Sequence, residues 1–233
     1  AIALITHEMR TSLNGTGWSI ELILNKYEQV LQPQDRDMLR GVLASIQVSV
    51  MHSVNLLDIS LLDMDKLSIA LEWQTLGDVE RMVRETVQRF GLGATHHGIR
   101  LESTIKLDAA RQAEIDPMRF RIIMETLLEN AIHYTSGDLK EIFVTADNDA
   151  TSIHISVRDT GIGIPTEEQH EIFTKFYRAS NARQSPVNGS GIGLNLCKQY
   201  VAAHHGTIRF ESTLGKGTTF FVSIPLKTTA RLN

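Results

Sequence analysis

The sequence predicts a multidomain protein in which an all-α helical hairpin is followed by an α+β sandwich. Two observations lead to this prediction. Residues 1–64 contain a single proline and repeat apolar residues with a period of about 3.5, as helices in a bundle do. From about residue 78, helical segments mix with strand-like ones, such as the segment where Ile153, Ile155 and Val157 alternate with polar residues.

The helical part is predicted to contain two helices and to dimerise. In the first helix the apolar stripe consists of Met9, Leu13, Thr16, Ile20, Ile23 and Tyr27. His7 precedes this stripe by two residues, which turns it outward on the helix. Residues 32–35 interrupt the helical pattern, and the second helix that follows carries two apolar stripes. A lone hairpin cannot cover that much apolar surface, so we expect residues 1–64 to pair with a second copy as a four-helix bundle.

The remaining chain divides into a linker at residues 65–76, a second domain at residues 77–226 and a tail at residues 227–233. The linker contains a short extended piece. Asp116 and Pro117 suit the cap and the first position of a helix. Helices are expected at residues 78–90, 117–134 and 191–204, with a glycine-rich loop after residue 90. Strands are expected at residues 99–103, 141–146, 152–157, 207–211 and 218–224.

The composition argues against several functional classes. A formal net charge of −4 disfavours a nucleic-acid binder that works through a basic surface. The single cysteine, Cys197, rules out an internal disulfide and a cysteine metal cluster, and it fits a reducing, cytoplasmic compartment. No apolar run reaches the roughly 18 residues that span a bilayer, so no membrane contact is expected in this chain. The chain starts without methionine, so we expect it to be a piece of a longer protein.

Three glycine-rich motifs divide the second domain: DTGIGIP at residues 159–165, GSGIGL at 189–194 and GKGTTF at 215–220. Glycine lets backbone amides approach a phosphate, and a helix N-terminus adds partial positive charge. The second motif leads from a loop into a helix, so it is the best candidate for a phosphate cradle. It lacks the glycine spacing of a dinucleotide-binding fingerprint, and no Walker-type lysine follows.

His7 has neighbours that suit phosphoryl chemistry. It stands beside Glu8 in the run THEMRTSLN, and Thr11 lies one helical turn further on the same face. An imidazole with a carboxylate and a hydroxyl nearby becomes informative only when the chain also provides a phosphoryl donor site.

The motifs together resemble those of a two-component sensor histidine kinase, from residue 4 to about residue 226. THEMRTSL resembles the family's phosphoacceptor box, and LLENAIHYT (residues 127–135) resembles its asparagine box. DTGIGIP, FTKFYRAS (residues 173–180), GSGIGL and GKGTTF resemble the remaining nucleotide boxes in the family's order. The fold implied for residues 77–226 is the GHKL-type ATP-binding sandwich shared with gyrase, the Hsp90 chaperones and the MutL repair proteins.

The resemblance also implies roles for single residues. His7 would take the γ-phosphoryl group of ATP and pass it to an aspartate of a response regulator, with Glu8 accepting the imidazole proton. Thr11 would orient water when the regulator is dephosphorylated. Asn130 would bind Mg²⁺, and Asp159 would accept from the adenine amino group. The other residues implied at the nucleotide site are Tyr134, Gly161, Gly163, Arg178, Gly189, Gly191, Gly193, Leu194 and Thr219, with residues 179–188 as a lid.

Three positions depart from the family pattern. Ser12 stands where a proline is usual, Thr126 where another asparagine is common, and His133 where a lysine is frequent. These changes fit a slow kinase or one with dominant phosphatase activity. Two alternatives stay open: an ATPase of the gyrase and chaperone kind, and a nucleotide-binding signalling module without kinase activity. The first would need a catalytic glutamate where this chain has Thr126.

Overall fold

The computed structural model describes residues 2–27, 29–62, 69–184 and 189–226. The chain divides into two compact units, residues 1–67 and residues 68–233. The predicted tail, residues 185–188 of the predicted lid and residues 65–68 of the predicted linker lie outside the described residues. Within the described ranges, no helix is both long and apolar enough to cross a membrane.

The first unit is the predicted helical hairpin, made of α1 (Ile2–Tyr27) and α2 (Pro33–Leu62). The helices meet at Gly17, where a Cβ would stand 3.5 Å from Cδ1 of Leu43 and 3.6 Å from Cγ2 of Ile46. Ile20, about one turn further, is buried. The absence of a side chain at Gly17 therefore allows α2 to approach α1 closely.

Much of the apolar surface of this hairpin is exposed in a single chain. Ile23 and Tyr27, both from the predicted apolar stripe, are 40% and 44% exposed. Other large apolar side chains are exposed as well: Trp18, Leu22, Val30, Met38 and Val42. The hairpin is confirmed, whereas the four-helix dimer stays a prediction for which this surface is available.

The second unit is a layer of helices on a five-stranded sheet. Its helices are α3 (Leu76–His96), α4 (Pro117–Tyr134), a 3₁₀ helix (Thr166–Glu171), α5 (Ser180–Arg183) and α6 (Gly193–Ala203). Two short strands, β1 (Glu72–Thr75) and β3 (Gln112–Ile115), pair with each other. The main sheet has the order β2-β4-β5-β7-β6, formed by β2 (Arg100–Lys106), β4 (Glu141–Asn148), β5 (Ser152–Asp159), β6 (Thr207–Thr213) and β7 (Gly217–Pro225).

Only the pairing of β2 with β4 is parallel in this sheet, and the other three pairings are antiparallel. Alternation decides which face is covered, as the sequence predicted for β5. Ile153, Ile155 and Val157 are buried, and each such side chain contributes about 2 kcal/mol through loss of apolar surface to water. The predicted α+β sandwich is therefore confirmed.

Two features of the second unit differ from the prediction. Helix α3 continues to His96, through Gly91 and Gly93, where a loop was expected. Glycine costs about 1 kcal/mol inside a helix, but the fully buried Ala94 anchors this last turn against the rest of the unit. Residues 72–75 of the predicted linker form β1, because β3, which was not predicted, provides its hydrogen-bonding partner.

Asp116 fastens α4, α6 and the beginning of the second unit together. Its Oδ1 accepts from the backbone N–H groups of Met118 and Arg119, both at 3.0 Å, which caps α4 as predicted. Its Oδ2 accepts from the N–H of Ala70 at 2.9 Å. The N–H of Asp116 donates to Nε2 of His204, just after α6, at 3.0 Å. Burial lowers the pKa of His204, and the neutral ring can accept this bond.

His205 gives a test of local backbone strain. Its φ is +59° at the position after the cap of α6, where helices commonly have glycine. We expect His205→Gly to raise the free energy of unfolding by about 1 kcal/mol, measured by urea denaturation, because a side chain is strained in this conformation. Ala203→Gly, inside α6, is the matched control and should lower it by about 1 kcal/mol. Equal losses in both variants would contradict the assigned strain.

Candidate functional site

Asp159 ends β5 and is a buried carboxylate, 6% exposed. Its Oδ1 accepts from the backbone N–H of Gly161 at 2.8 Å and from that of Thr218 at 3.2 Å. Among the described residues no hydrogen bond to Oδ2 occurs, so this oxygen can accept from a bound molecule. Burial raises the pKa of Asp159 to about 6, although the two amides and the charge of Arg158 oppose the rise.

The backbone packs so closely around the end of β5 that side chains are excluded. A Cβ on Gly161 would stand 2.2 Å from the carbonyl oxygen of Tyr134, and the N–H of Ile162 donates to the same oxygen at 3.0 Å. A Cβ on Gly163 or on Gly217 would be 2.1 Å or 2.0 Å from other backbone carbonyl oxygens. The first and third glycine motifs and the end of α4 therefore form one tightly packed cluster.

The second glycine motif lies between residues 176–177 and α4. Gly191 has a φ of +70°, and a Cβ there would stand 2.6 Å from the carbonyl carbon of Phe176 and 2.7 Å from the carbonyl oxygen of Tyr177. Gly193 begins α6, and a Cβ on it would stand 3.1 Å from Cγ2 of Thr126 on α4. These contacts fix where the N-terminus of α6 presents its unpaired N–H groups.

Arg178, Tyr134 and Gly189 come together at the start of the second motif. A Cβ on the exposed Gly189 would stand 3.7 Å from Nε of Arg178 and 3.9 Å from the hydroxyl oxygen of Tyr134. The Nη2 of Arg178 donates to the carbonyl oxygen of Ala182 at 2.7 Å. Asn130 is half-buried one turn before Tyr134 on α4. A cation, a hydroxyl and a glycine loop thus share one side of the site.

The remaining predicted site residues belong to α1, α6 and β7. His7 and Glu8 are in α1, and their side chains lie outside the description; Thr11 is exposed on α1. Leu194 is half-buried in the first turn of α6. Thr219 pairs with Arg158 on the face of the sheet that does not carry Asp159.

Thr219 is therefore not brought to the cluster around Asp159. Side chains alternate along a strand, so Thr218, one residue earlier, is buried on the side of Asp159 and its N–H bonds the carboxylate. The motif GKGTTF placed both threonines near the site, and only the pairing of β7 with β5 distinguishes them.

Comparison with known proteins agrees with this geometry. Residues 115–228 match the family model described as "Histidine kinase-, DNA gyrase B-, and HSP90-like ATPase". The circadian input-output histidine kinase CikA of Synechococcus elongatus is 30% identical over 228 residues, covering 97% of this chain and 30% of CikA. The chain carries the catalytic ATPase domain of a sensor histidine kinase.

Other relatives cover nearly the whole chain in the same way. The sensor protein kinase WalK of Staphylococcus epidermidis is 27% identical over 233 residues, which cover 96% of this chain and 36% of WalK. The crystal structure of full-length ShkA in complex with AMPPNP superposes with a TM-score of 0.68 at 24% identity, covering 98% of this chain and 46% of ShkA. The chain therefore spans about a third of the length of the curated relatives described here.

The ATPase domain has a group of ionisable side chains between α3 and α4, beside Thr126. Arg89 forms an ion pair with Glu125, so this carboxylate is engaged toward α3. Burial, and then the charge of Glu125, raises the pKa of Glu129 to about 7. Partial desolvation, and then the charge of His97, lowers the pKa of His133. His133 is thus less charged near pH 7 than an ordinary histidine.

Several residues that shape the site of the ATPase domain were absent from the predicted set. Gly217 and Thr218 belong to the third motif, so the motif already pointed to them. Asn181 donates through Nδ2 to the carbonyl oxygen of Gly163 at 2.8 Å, and it lies inside the predicted lid. Glu168 accepts hydrogen bonds from residues 177 and 180, for which the sequence contains no signal.

The glycines of the ATPase domain can be tested by adding one methyl group. Gly161→Ala places a Cβ 2.2 Å from a backbone oxygen, so we expect the free energy of unfolding to fall by about 2 kcal/mol as the backbone shifts. Gly189→Ala meets nothing closer than 3.7 Å and is the matched control, with a change within about 0.5 kcal/mol. Urea denaturation measures both, and similar stabilities would contradict the close packing.

Asp159 makes stability pH-dependent with a definite sign. Its pKa rises from 3.8 to about 6 on folding, so the folded state holds the proton more tightly. Stability from this group is lost as the pH rises through that window. As the pH rises through this window, the free energy of unfolding of Asp159→Asn should therefore increase by about 3 kcal/mol relative to that of the wild type. Urea denaturation at several pH values measures this difference.

Asp149 is the control with the opposite sign. Hydrogen bonds, above all from the N–H of Thr151, hold the pKa of Asp149 well below its ordinary value. The stability that ionised Asp149 contributes is present above its ordinary pKa and is lost as the pH falls. The free energy of unfolding of Asp149→Asn should therefore not increase relative to that of the wild type as the pH rises. A pH-independent difference between Asp159→Asn and the wild type would contradict the raised pKa.

Proposed function

We propose that this chain is the core of an ATP-dependent protein-histidine kinase of a two-component system. In this proposal His7 takes a phosphoryl group from ATP and passes it to an aspartate of a response regulator. The observation that carries the proposal is the buried Asp159 carboxylate, whose Oδ1 is held by two backbone amides while Oδ2 remains available.

The available oxygen of Asp159 suits the adenine amino group. An exocyclic amine donates, whereas guanine presents an acceptor at the corresponding position, so a fixed carboxylate favours adenine. The tight packing of Gly161 and Gly163 holds this acceptor in one direction. Preorganised acceptors of this kind lose little entropy on binding.

The phosphates of ATP fit beside the second glycine motif. The second glycine motif leads into the N-terminus of α6, and partial positive charge there attracts anions. Arg178, close to Gly189, adds a full positive charge. Tyr134 and Asn130 on α4 complete this side. Leu194 lies half-buried in the first turn of α6, on the same side of the proposed site.

Mg²⁺ would be held by Asn130 together with phosphate oxygens. In the described part of the chain, no group of three or more His, Cys, Asp or Glu side chains is arranged to hold a metal. Mg²⁺ usually keeps several waters and binds to substrate phosphates and few protein groups, so a single side-chain ligand is compatible with this ion. When bound, the ion neutralises phosphate charge.

Phosphoryl transfer then requires mainly position and neutralised charge. The bond between the γ-phosphorus and the bridging oxygen breaks, ADP leaves with that electron pair, and a bond forms from the imidazole nitrogen of His7 to phosphorus. Glu8, next to His7, accepts the imidazole proton. Thr11, exposed on the same helix, orients water when the phosphorylated regulator is hydrolysed.

Dimerisation through residues 1–64 is part of the proposal. Exposed apolar side chains on both helices of the hairpin, including Trp18 and Met38, support it. An obligate interface is expected to be largely apolar, as this surface is.

An ATPase of the gyrase and chaperone kind is the less favoured alternative. Such an enzyme needs a glutamate at position 126 to activate water, and this chain has threonine there. Glu125 does not substitute for it, because its carboxylate is paired with Arg89. The second alternative, a nucleotide-binding signalling module, is distinguished from the kinase by the labelling experiment below.

The kinase proposal is tested by labelling with γ-labelled ATP and Mg²⁺. We expect an acid-labile, alkali-stable phosphoryl label on the wild type and none on His7→Gln, because only the imidazole forms that bond. His170→Gln, which changes an exposed histidine on the 3₁₀ helix, is the matched control and should label like the wild type. Nucleotide binding without label would favour the signalling module, and phosphate release unaffected by His7→Gln would favour the ATPase.

A further inference from the structure

Glu168, in the 3₁₀ helix, accepts three hydrogen bonds from a segment further along the chain. Its Oε2 accepts from the hydroxyl of Tyr177 at 2.8 Å and from the backbone N–H of Ser180 at 2.7 Å. Its Oε1 accepts from the hydroxyl of Ser180. These donors are 9 and 12 residues away in sequence, so the carboxylate closes a loop between them.

The carboxylate of Glu168 also replaces a missing helix cap. Helix α5 begins at Ser180, and the preceding Ala179 provides no side-chain hydrogen bond to its first turn. An unpaired N–H at a helix start is normally satisfied by a nearby acceptor, and a negative charge suits this end of a helix. Glu168 supplies both from outside the helix.

The segment held by Glu168 separates the first two glycine motifs. On one side, a Cβ on Gly191 would stand within 2.8 Å of the backbone carbonyl groups of residues 176 and 177. On the other side, Nδ2 of Asn181 donates to the carbonyl oxygen of Gly163 at 2.8 Å. A displacement of residues 176–181 would therefore change the positions of both motifs.

We propose that Glu168 is a positioning residue for the nucleotide site, holding residues 177–181 so that the two glycine motifs keep their spacing. The inference rests on the proposed function, since it concerns nucleotide affinity. Glu168 acts through the segment that it holds, and it need not contact the nucleotide.

The exchange of one carboxylate oxygen for an amide tests this role. Glu168→Gln removes the charge and one acceptor, so the KM for ATP should rise about tenfold. The rate of His7 labelling at saturating ATP should change by less than about twofold, because the loss is in binding. Glu167→Gln makes the same change at the adjacent, exposed residue and should behave like the wild type.

Hydrogen exchange provides a readout that does not depend on nucleotide. Without ATP, the amides of residues 177–181 should exchange faster in Glu168→Gln than in the wild type, while those of β5 stay unchanged. If Glu168→Gln unfolds, Tyr177→Phe decides the matter, because it removes one bond and should raise the KM for ATP about threefold.

Two results would overturn the positioning role. One is a KM for ATP in Glu168→Gln equal to that of Glu167→Gln, and the other is unchanged exchange of residues 177–181. A wild type that binds no ATP would instead contradict the proposed function. The hydrogen-exchange comparison would still test whether Glu168 restrains residues 177–181.

Discussion

The site depends on two hydrogen bonds that one oxygen of Asp159 accepts, from Gly161 and from Thr218. They join the end of β5 to the loop that follows it and to the start of β7. The carbonyl oxygen of Tyr134 lies against the same loop, which ties in the end of α4. A buried carboxylate is costly unless its oxygens are hydrogen-bonded. The raised pKa of Asp159 shows that the amides offset only part of that cost, which is understandable if the group serves binding rather than stability.

Helices α4 and α6 are also joined by a hydrogen bond between the start of α4 and the end of α6. Asp116 caps the start of α4 and donates its N–H to His204 just after α6, while its second oxygen accepts from Ala70. The middle of α4 and the start of α6 are in contact through Thr126 and Gly193. Both ends of α6 are thus in contact with α4. The beginning of the second unit is bonded to the same residue.

The departures from the family pattern have identifiable physical consequences. Thr126 places a methyl group against Gly193, which is packing rather than a polar contact. Glu125 is paired with Arg89 and so is not available to replace the missing asparagine. The lowered pKa of His133 leaves its ring mostly neutral near pH 7, so it would attract phosphate less than the lysine that is frequent there. Together these features weaken the polar side of α4, which leaves Asn130 and Arg178 with a larger share of the proposed phosphate and metal binding.

The sequence by itself determined the hairpin, the α+β sandwich and the three glycine motifs, because periodicity and glycine spacing are local properties that single segments carry. It also pointed to Asp159, Gly161, Gly163 and Gly191 as nucleotide-site residues, and the structure shows that their surroundings are closely packed. Only the tertiary structure decided the rest. It selected Thr218 over Thr219 through the pairing of β7 with β5, and it extended α3 past two glycines through the burial of Ala94. It also brought Glu168 to Ser180. These depend on contacts between residues distant in sequence, whose free energy no local pattern encodes.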